Sequence, residues 1–156
     1  MKKLLILTVT HLLAIVLGVG LGIYMLPILI APKSPTIDEI KSASSNAKYT
    51  AVFRKNLKGS DFFHWGKGKI MITDLKITFM GKLAPGPDYK LYLVPSFVQT
   101  EADFLKIKSQ SLRVAEVKTF GNFIISLPEK TDLEKYNTVL IWCEAFEQFI
   151  TAAKYR

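Results

Sequence analysis

The side chain with the most chemical potential in this chain is Cys143, the only cysteine. It cannot form a disulfide within its own chain, because no second thiol exists. Four roles are open to it: a buried apolar residue, a reactive group, a cofactor ligand or a link to another chain. A thiolate is both a nucleophile and a soft ligand, and an exposed, electropositive setting lowers the thiol pKa from about 8.5.

A second candidate, His64, lies in an aromatic cluster between Asp61 and Gly66. It is either a structural histidine that bonds the backbone of this turn, or part of the rim of a ligand pocket with Phe63 and Trp65. His64 and Cys143 are weak candidates for cofactor binding if they meet in space.

The chain lacks a Cys-x-x-Cys-His motif, which excludes covalent attachment of a c-type haem. Another haem or metal cofactor would need ligands from a small set, and the β-rich part offers only His64, Cys143, Met71 and Met80. No metal site is predicted, since Asp88 has no recognisable partners for calcium. A Cys-His hydrolase would also need an orienting group and an oxyanion site, neither of which is indicated, so a typical enzyme is not expected.

The N-terminus predicts one transmembrane helix. No charged residue occurs from Leu4 to Ala31, a run longer than the roughly 20 residues that cross a bilayer core. The run is also longer than a signal-peptide core, and Pro32 disfavours cleavage after Ala31, so we expect a retained signal anchor. Lys2 and Lys3 predict a cytoplasmic N-terminus and a C-terminal domain outside the cytoplasm, in the periplasm of a bacterium.

Two small residues within this span, Gly18 and Gly22, form a GxxxG pair that would permit a weak homodimer. The net charge of +8 comes from scattered lysines without a nucleic-acid-binding motif, so no nucleic acid is expected. This charge favours an anionic lipid surface or an acidic partner.

The remainder divides into a linker and one β-domain. Residues 1–31 are the cytoplasmic N-terminus and anchor, 32–48 a proline- and serine-rich tether with at most one helical turn after Thr36, and 49–156 the domain. Short β-branched and aromatic runs separated by turn residues predict an all-β fold of about eight antiparallel strands, a β-sandwich or barrel-like domain. The predicted strands are 49–53, 68–72, 75–79, 89–94, 111–117, 122–127, 138–146 and 149–154, with a short helix within 99–108.

The strand predicted at 138–146 is apolar on both faces, which is typical of a strand covered on both sides. Val139, Ile141, Cys143 and Ala145 would share one face, and Leu140, Trp142 and Phe146 the other. On this pattern alone, Cys143 fits a small buried residue.

From Tyr49 to Tyr155 the sequence resembles the DM13 domain family. The resemblance depends on several landmarks in order: His64 before Gly68, Gly86-Pro87-Asp88 before Leu91-Tyr92-Leu93, Gly121 before Leu127-Pro128, and Tyr136 before Val139–Cys143 and Phe146. The chain departs from the family at Ala115 and at Ile150-Thr151, where glycine is usual.

The resemblance implies an all-β domain with a redox or electron-transfer role, in which Cys143 is the active group. Two functions therefore stay open. One is a membrane-tethered electron-transfer or thiol-redox domain with a redox or envelope protein as partner. The other is a β-sandwich that binds an envelope partner without catalysis, with Cys143 buried in its core.

Overall fold

Three helices and eight strands follow one another in the computed structural model, which describes residues 1–156. The helices are α1 (Lys2–Ile30), α2 (Ile37–Ala43) and α3 (Glu101–Ile107). The strands are β1 (Tyr49–Phe53), β2 (Gly66–Ile72), β3 (Lys76–Leu83), β4 (Tyr89–Val94), β5 (Leu112–Val117), β6 (Phe123–Ser126), β7 (Thr138–Cys143) and β8 (Gln148–Lys154).

The strands form two four-stranded antiparallel sheets, in the orders β1-β2-β3-β6 and β5-β4-β7-β8. Apolar side chains from the facing sides of both sheets form one core, which includes Phe53, Phe79, Leu91 and Ile141. The all-β prediction with about eight strands is therefore confirmed. The fold is a sandwich, and the barrel-like alternative is wrong because the two sheets do not join into one closed sheet.

Strands β4 and β7 are buried at every position, which the two-faced apolar pattern predicts for β7 alone. Their inner faces join the core between the sheets. Their outer faces lie under α3, where Phe104 packs on Trp142 with 4.9 Å between ring centroids. Helix α3 also confirms the short helix expected within 99–108.

The end of β7 differs from the prediction. The strand stops at Cys143, and Glu144 to Glu147 form the turn into β8, where Glu147 has a φ of 50°. Ala145 and Phe146 therefore do not continue the strand faces, and the Phe146 side chain is half exposed. Alternation cannot detect this turn, since the apolar residues run on through it.

The segment predicted as a tether, residues 32–48, contains the seven-residue helix α2, which is longer than one helical turn. Thr36 and Glu39 form a reciprocal capping box, in which the Thr36 backbone N–H donates to Glu39 over 2.7 Å. Ile40 of α2 is 1% exposed. This segment thus packs against the sandwich rather than extending as a free linker.

Helix α1 has no buried residue. It is long and apolar enough to cross a membrane, although a secretory signal sequence would have the same properties. Its last third lies beside the end of the sandwich, where Tyr24 meets Phe63 edge-on at 6.5 Å between ring centroids.

Candidate functional site around Cys143

Cys143 is the last residue of β7, and its side chain points into the core between the sheets. It pairs across the strands with Tyr89 of β4 and with Gln148 of β8. Directly opposed residues in antiparallel strands bring their side chains close together on one face. The Cys143 residue is 3% exposed.

A cavity of about 480 Å³ opens beside Cys143 at the end of the sandwich nearest α1. Residues from four segments of the chain line it: Gly20, Ile23, Tyr24, Phe63, His64, Pro85, Gly86, Pro87, Tyr89, Cys143, Phe146, Gln148 and Ile150. The buried thiol therefore borders an open pocket and is not enclosed by core side chains alone. Most of the lining is apolar or aromatic, so the pocket suits a ligand with a largely apolar body.

Burial raises the pKa of the Cys143 thiol above its ordinary value, and the Asp88 carboxylate acts in the same direction. The backbone N–H groups of Phe146, Asp88 and Ala145 lower the pKa but do not offset burial. The resting group at neutral pH is therefore the protonated thiol. The same N–H groups are donors that would stabilise negative charge forming on the sulfur.

The neighbouring carboxylate, Glu144, does not act on the sulfur directly. It accepts hydrogen bonds from Tyr92 and from the Lys108 ammonium, the latter over 2.6 Å, on the outer side of the sheet. Burial raises the Glu144 pKa, but these two partners lower it further than burial raises it. Its negative charge is thus held by partners under α3, consistent with adjacent strand residues facing opposite sides.

Tyr89 is a residue of this site that sequence reasoning missed. It is 3% exposed, and its hydroxyl has no hydrogen-bond partner although it borders the pocket. Burial raises its pKa, and the nearby ionisable groups of Cys143 and Tyr24 raise it further, so the hydroxyl lies near both. The available signal was the Gly86-Pro87-Asp88 turn, which places the next residue at the start of a strand.

Gly86 allows Tyr89 this position. A Cβ atom added at Gly86 would lie 2.5 Å from the Tyr89 hydroxyl oxygen, closer than real side chains approach. The turn before β4 is therefore part of the pocket wall, and glycine is needed there for close packing.

The His64 ring bonds a carboxylate in its turn and not the backbone that the structural interpretation expected. Its Nδ1 bonds the Asp61 carboxylate at 2.8 Å, and the Asp61 carboxylate also accepts from the backbone N–H of His64 and of Phe63. The histidine is thus fixed in its turn, and it also lines the pocket with Phe63. Trp65 does not line this pocket. The Lys55 ammonium instead lies over the Trp65 ring in a cation–π contact, 3.4 Å from the ring centroid.

The fold brings His64 and Cys143 to one pocket but does not join them by a hydrogen bond. Met71 and Met80 lie on β2 and β3 and do not line it. The chain contains no cluster of three or more histidine, cysteine or acidic side chains suited to a metal ion. Cofactor binding by His64 and Cys143 stays a prediction.

Comparison with family models identifies one match, over residues 53–155, to the family described as electron transfer DM13. Comparison with curated proteins and with solved structures found no match. The matched range begins at the end of β1 and ends after β8, so it includes nearly all of both sheets and the whole domain side of the pocket. Since the match extends over more than half of the chain, this protein belongs to the DM13 family of electron-transfer domains.

Proposed function

We propose that this chain is a membrane-tethered electron-transfer domain in which the Cys143 sulfur is the redox group. The observation that carries the proposal is that the only thiol borders an open pocket. The backbone N–H groups of Phe146, Asp88 and Ala145 also act to lower its pKa. The family description supports a redox role for the domain. The role of Cys143 and the tether are our own inferences.

A single thiol can exchange two electrons without a second cysteine. Oxidation converts the thiol and one water to a sulfenic acid, with an S–O bond formed and two protons and two electrons released. Reduction takes up two protons and two electrons, breaks the S–O bond and releases the oxygen as water. The backbone N–H groups beside Cys143 would stabilise the thiolate and the oxidised sulfur, and the pocket would admit a small oxidant such as a peroxide.

Helix α1 supplies the tether in this proposal. Its uncharged run is long enough to span a bilayer, and Lys2 and Lys3 would remain on the cytoplasmic side. The sandwich would then lie close to the extracytoplasmic face of the membrane that α1 spans, because only residues 31–36 separate α1 from α2.

The test exposes the full chain in detergent to hydrogen peroxide and then to dimedone, which labels sulfenic acids. We expect one label per chain by mass spectrometry, none after treatment with dithiothreitol before dimedone, and none in Cys143→Ala. A wild-type chain that acquires label only after denaturation would overturn the redox proposal.

That outcome would support the second candidate function, a binding domain without redox chemistry. The observation in its favour is that Cys143 is almost fully buried and its pKa is raised, as expected for a core residue. In that case Cys143→Ala would retain partner binding and lose only the stability that comes from filling the core.

A further inference from the structure

The pocket beside Cys143 is closed on one side by α1 and not by the sandwich alone. Gly20, Ile23 and Tyr24 of this helix line it together with domain residues. If a bilayer core takes about 20 apolar residues starting at Leu4, it ends near Ile23, and Tyr24 lies at the interface, where tyrosine is enriched. The pocket would then lie at the extracytoplasmic face of the membrane that α1 spans and open towards its lipid.

Exposed aromatic side chains near the pocket support this position. Phe62 and Phe63 are 83% and 57% exposed, Phe146 is 52% exposed, and Phe63 and Phe146 line the pocket. Phe62 packs edge-on against Phe63, which in turn contacts Tyr24 of α1. Exposed phenylalanines next to a membrane helix are suited to the interfacial region of a bilayer.

Two polar side chains of the pocket have a group without a partner in the protein, the Tyr89 hydroxyl and the second ring nitrogen of His64. Tyr89 is 3% exposed as a residue, and its hydroxyl borders the pocket and has no hydrogen-bond partner in the protein. The Nδ1 atom of His64 is held by Asp61, which leaves its other ring nitrogen free, on the side chain that lines the pocket. A ligand with a carbonyl oxygen would accept a hydrogen bond from the Tyr89 hydroxyl at the pocket wall.

We infer that this pocket binds a lipid-soluble quinone, which enters from the bilayer between α1 and the Phe63 side of the sandwich. The flat apolar ring suits the aromatic walls, one carbonyl oxygen accepts from Tyr89, and the hydrocarbon tail remains in the lipid beside Ile23. The inference deepens the proposed function, because it identifies the electron carrier that would meet Cys143.

The corresponding redox step is balanced. A hydroquinone gives two electrons and two protons to the Cys143 sulfenic acid, the S–O bond breaks, and the products are the quinone, the thiol and water. The pocket would thus connect the lipid-dissolved carrier with the one redox-active side chain of the domain.

The test measures binding of a fully substituted benzoquinone with a decyl tail, whose ring carbons cannot add to the thiol. The full chain is placed in phosphatidylcholine nanodiscs, and saturable quenching of tryptophan fluorescence gives the affinity. Tyr89→Phe is expected to weaken binding about two- to tenfold, the effect of one hydrogen bond, and to leave the Tm unchanged because the hydroxyl has no partner in the protein.

Tyr155→Phe is the matched control. Its hydroxyl donates to the Leu133 carbonyl at 3.0 Å, so this variant should lose stability and keep full quinone affinity.

The side of the pocket formed by α1 offers a second matched pair of variants. A Cβ atom at Gly20 or at Gly18 meets no atom within 4 Å, but only Gly20 lines the pocket. Gly20→Leu should weaken binding several-fold, and Gly18→Leu should not.

Quenching that does not saturate, or equal affinities for the wild type, Tyr89→Phe and Gly20→Leu, would show partition into lipid only and overturn the quinone site. The proposed function is tested separately by the dimedone label on Cys143. A labelled thiol without quinone binding leaves the redox proposal intact and removes this inference. Quinone binding with an unreactive thiol would retain the site and remove the redox step.

Discussion

At the scale of single residues, Cys143 combines two properties that usually occur apart. Its side chain belongs to the hydrophobic core, and its sulfur still borders an open pocket. Reactive cysteines generally have a lowered pKa and lie in electropositive surroundings. Here burial raises the pKa, so any redox step must begin from the protonated thiol.

The raised pKa predicts a thiol titration above the ordinary midpoint of about 8.5. Thiolate absorbance at 240 nm can be assigned to Cys143 without ambiguity, because the chain has no other cysteine. The unfolded thiol should titrate near 8.5 in denaturant, so the folding stability from this group is complete below that pH and declines at higher pH. A native midpoint below 7 would contradict the description of the site.

The second prediction at this scale concerns Glu144, whose pKa is lowered by Lys108 and Tyr92 against the effect of burial. A lowered folded-state pKa contributes stability above the unfolded glutamate pKa of about 4.3, and this stability is lost as the pH falls further. We expect Glu144→Gln to lower the unfolding free energy at pH 7 by about 1–3 kcal/mol, because Lys108 loses its partner.

Urea unfolding at pH 7 and at pH 3 measures this effect. The difference between Glu144→Gln and the wild type should shrink at pH 3, because the stability from a lowered carboxyl pKa is progressively lost below the unfolded glutamate pKa of about 4.3. Glu129→Gln is the control, since Glu129 is exposed and has no ion pair in the structure. An equal deficit at both pH values would mean that Glu144 acts through packing rather than through its charge.

At the scale of elements, β2 and β3 approach so closely that two opposed residues must be glycine. Gly68 pairs with Gly81, and its φ of 152° lies in the region that favours glycine. A Cβ atom at Gly81 would lie 2.2 Å from the Lys67 carbonyl oxygen and 2.6 Å from the Gly68 Cα. The Phe79 ring covers the same place and leaves no room for adjustment.

Gly81→Ala is therefore expected to destabilise the domain by about 1–3 kcal/mol, as overpacking of a tight site does. Thermal unfolding compared with Gly121→Ala checks this. At Gly121 the closest atom to an added Cβ is the Ser34 hydroxyl at 2.6 Å, which can rotate away at the cost of its one hydrogen bond, to Thr119, so a smaller loss is expected there. Equal Tm values for Gly81→Ala and the wild type would show that the strands separate without cost.

The strands themselves were largely predictable. β1 and β4 occur at the predicted bounds, because their β-branched and aromatic residues are interrupted by clear turn residues. β3 was predicted too short, since its later residues Gly81 and Lys82 lack strand character but pair with Gly68 and Lys67. The length of β3 is determined by its pairing with β2, and the composition of β3 alone does not predict that pairing.

At the scale of the whole molecule, the quinone inference depends on the orientation across the membrane that we propose. Lys2 and Lys3 precede the apolar run, and positively charged flanks favour the cytoplasmic side. In a bacterial host, a C-terminal alkaline phosphatase fusion should therefore be active, since that enzyme folds only outside the cytoplasm. Lys2→Glu combined with Lys3→Glu should lower the activity, and an inactive wild-type fusion would contradict the orientation.

The sequence by itself determined the all-β class, the apolar N-terminal helix, the two-faced strand β7 and the membership of Cys143 in that strand. These depend on local composition and on alternation, which follow from the period of a strand and the length of a membrane span. Only the tertiary structure decided that Cys143, His64, Tyr89 and α1 border one pocket. Their distances along the chain carry no information on contact, because strand pairing and the position of α1 beside the end of the sandwich bring them together.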